Sequence, residues 1–164
     1  LYTAWQAERD RSQAMIHDAA AGLALNLADD LQMYFWASPV EQTNQNNNSV
    51  VANLIWQDKC LFLWTGDLEQ DQEIELVATD FQLDCEVLKA GHHGSRTSSA
   101  ELFLQAVDPQ VVVIMVGSDN RYGHPSSEVL QRLAGYELYR TDLHGTIRVV
   151  YPAWQEREIR TGLK

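Results

Sequence analysis

The sequence predicts an α/β fold built on a mixed, largely parallel sheet, and three observations predict it. Short apolar runs alternate with helix-like segments from position 50 to position 151. Residues 60–64 and 85–88 flank one helical stretch, which makes a β-α-β unit and demands a parallel pair with a right-handed crossover. Residues 111–116 form a continuous, mostly β-branched run of the kind found in strands buried on both faces. With 164 residues, 45% of them apolar, the chain can bury the core of one domain.

The elements follow in order. Residues 3–14 are rich in helix formers, with Thr3 as a cap. His17-Asp18 comes next and reads as surface hydrogen bonding. Residues 23–27 alternate at period two, 28–30 turn, and 31–36 return, which predicts a hairpin. The Asn-rich stretch 41–48 reads as a loop, since Asn tolerates left-handed backbone angles. Strands are predicted at 50–56 and 60–64, and a helix at 68–79 with Asp67 placed to cap it. A strand at 84–88 is followed by a short helix at 101–106, capped by Ser98 or Ser99. After the 111–116 strand, Ser126 or Ser127 caps a helix at 128–133. Strands at 137–140 and 146–151 close the core, with an edge strand in the tail at 154–161. The chain is thus read as a single domain over 1–164, with a helix-and-hairpin lead-in (1–45) and a motif-bearing core (46–151).

Composition narrows the function classes. The formal net charge is −11, so affinity for a polyanion cannot come from overall charge and needs a local patch or a bound metal. No apolar run approaches the roughly 20 residues of a membrane span. The chain opens on Leu1 rather than Met, which predicts a piece of a longer protein. Cys60 and Cys85 begin two strands in matched register and are expected to lie close together, as buried thiols acting as small apolar residues.

The chemistry concentrates where strands stop. Three successive parallel strands end in Thr65-Gly66-Asp67, in Gly91-His92-His93-Gly94-Ser95 and in the loop 117–125, which contains Arg121, Tyr122 and His124. Asp67 lies seven residues after Cys60 and His92 seven after Cys85, so parallel pairing brings them to one end of one sheet. That end is where α/β folds place ligands. Four of the five histidines, His92, His93, His124 and His144, follow a strand directly. A carboxylate and several imidazoles on converging loops suit Zn, Mn or Fe, and a metal there would generate a water nucleophile near neutral pH. Competing chemistries fare worse. Ser95 lacks a Gly-x-Ser-x-Gly setting, no Gly-rich loop ends in Lys-Ser or Lys-Thr, and neither cysteine sits at a polar mouth.

Five motifs in order, Asn46-Asn47-Asn48-Ser49-Val50-Val51, Thr65-Gly66-Asp67-Leu68-Glu69, Leu88 through Ser99, Asn120 through Pro125, and Arg140-Thr141-Asp142-Leu143-His144-Gly145, together resemble the C-terminal metallo-β-lactamase-like domain of ComEC-type DNA-uptake (competence) channel proteins. They span about two-thirds of the chain, from Asn46 to Ile147. The resemblance implies an αβ/βα sandwich with a two-metal site and a metal-dependent hydrolase, a phosphodiesterase or DNase acting on the DNA strand that is not transported. By position, Asp67 resembles the metal-bridging Asp, and one of His92 and His93 the late His ligand. The resemblance also implies substrate contacts from Arg121, His124, Tyr122, Ser95, Arg96 and Asn46, Asn47 and Asn48, the last three standing where relatives carry another His.

The family's main His-x-His-x-Asp-His metal motif is absent. The chain therefore resembles the C-terminal half of that fold. Its implied partners are the N-terminal half, the membrane channel and DNA, with self-association through the exposed half-interface. The implied cofactor is Zn or Mn in the intact domain, and this piece alone is expected to be inactive. The implied setting is an extracytoplasmic domain of an integral membrane protein of the bacterial envelope. The competing reading is a non-catalytic nucleic-acid-binding or structural module of the channel. A third is an ester or lactam hydrolase on the same fold.

Overall fold

The computed structural model of the protein describes residues 2–12, 22–152 and 156–163. His17 and Asp18 lie outside the described residues. A helix, α1 (Tyr2–Ser12), precedes the hairpin β1 (Ala24–Ala28) and β2 (Leu31–Trp36). Then come β3 (Val51–Trp56), β4 (Lys59–Trp64), α2 (Gln70–Val77), β5 (Cys85–Lys89), α3 (Glu101–Val107), β6 (Val111–Ile114), α4 (Ser127–Arg132) and β7 (Glu137–Arg140). A short helix, α5 (Thr141–His144), and the pair β8 (Thr146–Val150) and β9 (Glu158–Leu163) complete the chain.

Strands β1 to β7 form one seven-stranded sheet in sequence order. The pairs from β1 to β4 are antiparallel, and those from β4 to β7 are parallel. The α/β expectation therefore holds, with the parallel half where the β-α-β pattern put it. The tail strand does not extend this sheet: β9 pairs antiparallel with β8 in a separate two-stranded sheet.

Alternation along the strands divides the core. Leu63, Leu88, Val112 and Ile114 face α2, α3 and α4, packing with Leu76, Phe103, Leu104, Val107, Val129 and Leu133. Val87, Val111 and Val113 face the other way, against Phe62, Tyr139, Ile147, Val149 and Ile159. That second face is only partly covered. Leu54, Phe62, Trp64, Met115, Ile147 and Val149 line an apolar groove of about 840 Å³.

Several local expectations change. Asp67 does not cap α2: the helix starts later, with Glu69 at the N-cap position. Neither Ser98 nor Ser99 caps α3, whose N-cap is Ala100. The side chain of Glu73, from the middle of α2, does that work instead, accepting the backbone N–H groups of Ser99 and Ala100 at 2.8 and 2.7 Å. Ser126 caps α4 as expected, its hydroxyl accepting from Val129 N. The Asn-rich loop contains a 3₁₀ turn, Gln45–Asn48. Cys60 and Cys85 are not free thiols. They pair across β4 and β5 and form a disulfide, with Cα atoms 4.6 Å apart. The cross-link lies at the start of both strands, at the end of the sheet opposite Asp67 and His92.

Candidate functional site

Parallel register builds the site. Cys60 pairs with Cys85 and Trp64 with Lys89, so the Thr65-Gly66-Asp67 loop and the Gly91–Gly94 turn leave the sheet side by side. The Gly66 carbonyl ties them together, accepting the backbone N–H of His92 at 3.2 Å and the ammonium of Lys89 at 2.5 Å. Thr65 returns the link, donating its hydroxyl to the Lys89 carbonyl at 3.1 Å. Gly66 has φ +57°, and a Cβ there would lie 2.8 Å from the Ser49 side chain, so no larger residue fits. Ser49 in turn accepts the Asp67 N–H at 2.9 Å.

His92 and His93 both adopt left-handed backbone angles, φ 43° and 54°. Such angles are uncommon outside glycine, and two in succession mark a turn held by its surroundings. The flanking glycines explain the hold. A Cβ on Gly91 would meet the Leu68 carbonyl at 2.8 Å, and one on Gly94 would meet Pro125 at 2.7 Å. Beneath the turn, Ser98 donates to the Gly91 carbonyl at 2.9 Å. Ser95, buried, closes the turn by donating its N–H to the His92 carbonyl at 2.8 Å.

The two imidazoles have different neighbours. His93 Nδ1 lies 2.6 Å from the carbonyl oxygen of Met115, and its Nε2 lies 3.5 Å from Asp67 Oδ1. A carbonyl can only accept, so Nδ1 carries a proton, and in the neutral ring Nε2 turns its lone pair toward a carboxylate. Two electron-rich groups face each other across 3.5 Å, which suits a cation between them, either a proton or a metal ion. His92 turns elsewhere, with Nδ1 3.2 Å from Glu69 Oε1.

Glu69 organises the neighbouring shell. Its carboxylate accepts from Asn44 at 2.8 Å and from Asn46 at 3.0 Å, and its backbone N–H donates to the Asn47 side chain at 3.0 Å. Burial alone would raise the Glu69 pKa, but hydrogen bonds from Asn46, Thr97 and Asn44 and the nearby His92 hold it below the usual carboxylate range. Asn46 thus reaches the site, 3.5 Å from His92 Nδ1. Asn47 fixes the Glu69 turn, while Asn48 braces its own loop through Gln42.

His124 joins from the loop after β6. Its ring lies edge-on to His92, centroids 5.6 Å apart, and nearly parallel to Tyr122 at 6.0 Å. Burial, then the neighbouring His92 and His93, lower its pKa. Arg121 is exposed and sits 5.3 Å over the Tyr122 ring. Arg96 is exposed as well, with its carbonyl accepting from Arg132. His144 stands apart from this cluster, against Arg140 and Tyr139.

Two site residues escaped the sequence reading. Glu69 stood inside the Thr-Gly-Asp-Leu-Glu motif without a role. Lys89 is 8% exposed at the end of β5, and burial lowers its pKa against the opposing pull of Asp67. A lysine at an inward strand position was the available signal. Among the described residues, no group of three or more His, Cys, Asp or Glu is placed to hold a metal ion. Asp67 and His93 are therefore a two-donor edge. The donor types suit Zn or Mn, and the remaining ligands of such an ion would come from elsewhere.

This is an α/β domain with a histidine-carboxylate edge at the end of its parallel strands, and it is similar to part of several longer bacterial proteins, a competence protein among them. The chain is 36% identical over 150 residues to ComE operon protein 3 of Bacillus subtilis (strain 168), covering 89% of this chain and 19% of that protein. It is 39% identical over 115 residues to competence protein ComA of Neisseria gonorrhoeae, covering 67% of this chain and 16% of that protein. It is 35% identical over 109 residues to recombination protein 2 of Haemophilus influenzae, covering 65% and 14%. The chain spans less than a fifth of the length of these curated relatives. No protein-family model matches it. Among the described residues, no helix is long and apolar enough to cross a membrane.

Proposed function

We propose that the chain belongs to a DNA-uptake protein and supplies one side of a metal-dependent phosphodiesterase site within a metallo-β-lactamase-like αβ/βα domain. The observation that carries this reading is the His93 imidazole, fixed at Nδ1 by the Met115 carbonyl and aimed at Asp67 with Nε2. Asp67 and His93 would hold Zn or Mn together with ligands from a partner half of the domain. A bound ion supplies Lewis acidity and an acidified water.

The chain's own residues do the rest. Lys89 and Ser49 fix the Asp67 loop. The Glu69–Asn46 network orients His92. His124, beside His92 at the mouth of the site, is placed to accept a proton. Arg121 offers a cation to phosphate oxygens. The apolar groove over Phe62, Trp64 and Met115 supports a missing layer that would cover this face. An extracytoplasmic position, with the membrane channel and DNA as partners, completes the reading.

The two-donor count and the formal charge of −11 favour a second reading, a non-catalytic module of the uptake apparatus. Hydrolysis of linear DNA by the longer protein carrying this chain, with Mn supplied or removed by chelator, separates the two. The enzyme reading expects Mn-dependent cleavage that Asp67→Ala abolishes while the circular dichroism spectrum stays native. Cleavage that survives Asp67→Ala contradicts it, and absence of cleavage selects the module.

A further inference from the structure

One buried side chain next to the site has no part in the chemistry described so far. Glu73 lies in the middle of α2 and is 0% exposed. Its carboxylate accepts two successive backbone N–H groups, those of Ser99 and Ala100, at 2.8 and 2.7 Å. Ser99 has φ 58°, a left-handed angle that is uncommon outside glycine. Such a turn gathers successive N–H groups into a concavity for an anion, and Glu73 fills it from inside the protein. The carboxylate also lies under the histidine turn: a Cβ added to Gly91 would come within 3.3 Å of Glu73 Oε1.

The loop held in this way carries the turn. Ser98 is 0% exposed, and its hydroxyl oxygen lies 2.9 Å from the carbonyl oxygens of both Gly91 and Ser95. The left-handed angles of His92 and His93 persist only while their surroundings hold them. Other contacts brace the same loop. The Gln70 N–H donates to the Thr97 carbonyl at 2.8 Å, and the Arg132 guanidinium to the Arg96 carbonyl at 2.9 Å. Both are single bonds, and the second is exposed to solvent. Glu73 supplies two bonds from one buried anion, and bonds to an ionised acceptor are roughly twice as strong as neutral ones.

We propose that Glu73 is a positioning residue for the Asp67–His93 edge: it clamps residues 98–100 beneath the His92-His93 turn and so keeps the His93 imidazole aimed at Asp67. The inference rests on the reading of that edge as the metal-facing pair and adds the element that holds it in shape. Glu73 acts through Ser98 and Gly91, not by touching an ion. At the far end of this path His93 Nδ1 lies 2.6 Å from the Met115 carbonyl. When the turn relaxes, that bond is lost and the ring can carry its proton on either nitrogen.

The test reads the ring nitrogens of His93 by nitrogen NMR in the metal-free chain. The pH is 8, above the value of about 7 to which burial pushes the Glu73 pKa. Wild type should carry the proton on Nδ1. Glu73→Gln keeps the shape but takes the anionic acceptor from the two N–H groups. It should raise the share of rings protonated at Nε2 roughly tenfold, the effect of one charge-assisted hydrogen bond on a local equilibrium. Leu76→Val thins the core from the same helix and should leave that share unchanged. Ser98→Ala cuts the link without touching Glu73 and should reproduce the change, so it carries the test if Glu73→Gln does not fold. An unchanged His93 signal in folded Glu73→Gln or in Ser98→Ala overturns the inference, as does an equal change in Leu76→Val. Mn titration then separates the two claims. Failure to broaden wild-type His93 contradicts the metal-facing reading, whereas wild-type Mn affinity in Glu73→Gln overturns the positioning role.

Discussion

Glu73 should make the stability of this domain fall as pH rises, and the structure sets the size of the effect. The side chain is 0% exposed, and burial pushes its pKa from 4.5 up to about 7, against the backbone N–H groups of Ala100 and Ser99 and the charge of Arg132. Between those two values the folded state holds a proton that the unfolded state has released. Stability must therefore fall with rising pH across that window. The rise from 4.5 to about 7 corresponds to about 3 kcal/mol, a loss absent below about pH 4.5 and complete above about pH 7.

Glu73→Gln removes the titration while keeping the shape. It costs one of the two loop contacts, because its amide can accept only one N–H well. His124, whose pKa is lowered, contributes with the opposite sign in part of the same window. The quantity to read is thus the difference between wild type and variant in urea unfolding, at a series of pH values from 4 to 8. The expected difference curve declines by about 3 kcal/mol in the sense that wild type loses ground as pH rises. A flat or rising difference curve would show that the two N–H donors hold Glu73 ionised and would refute the argument.

Two further perturbations probe the frame of the site. Lys89→Met should change unfolding free energy by only about 1 kcal/mol, because it removes a costly buried cation along with its hydrogen bond to Gly66. It should nevertheless shift the amide resonances of Gly66, Asp67 and His92, and unmoved resonances would remove Lys89 from the frame. Replacing Cys60 and Cys85 together by alanine should cost about 3 kcal/mol, the chain-entropy value for a cross-link spanning 25 residues, measured by urea unfolding.

How much was legible in the sequence depended on how local each cause was. The shared position of Asp67 and the His pair was visible because a β-α-β unit fixes parallel neighbours, and equal spacing from Cys60 and Cys85 then fixes register. Ser126 was recognisable as a cap because its partner, Val129, is three residues away. Glu73 was not recognisable, since a glutamate on a helix normally faces water and its partners lie 26 and 27 residues further on. The Asn44–Glu69 contact spans 25 residues and left no local trace either. The sequence left His92 and His93 equivalent. The Met115 carbonyl, just past β6, and the Asp67 carboxylate mark His93, while Glu69 takes His92. The disulfide was missed for a different reason: adjacency was inferred, but two cysteines in register do not by themselves say whether they are oxidised.

The most direct test of the account is where a paramagnetic ion goes. Titrating Mn into the isotopically labelled chain and following side-chain NMR signals locates even a weakly held ion. The account predicts that the His93 imidazole and the Asp67 carboxylate broaden first, before His92, and that Asp67→Asn removes the effect. Broadening centred on His92, or a pattern unchanged by Asp67→Asn, would contradict the assignment of Asp67 and His93 as the metal-facing pair.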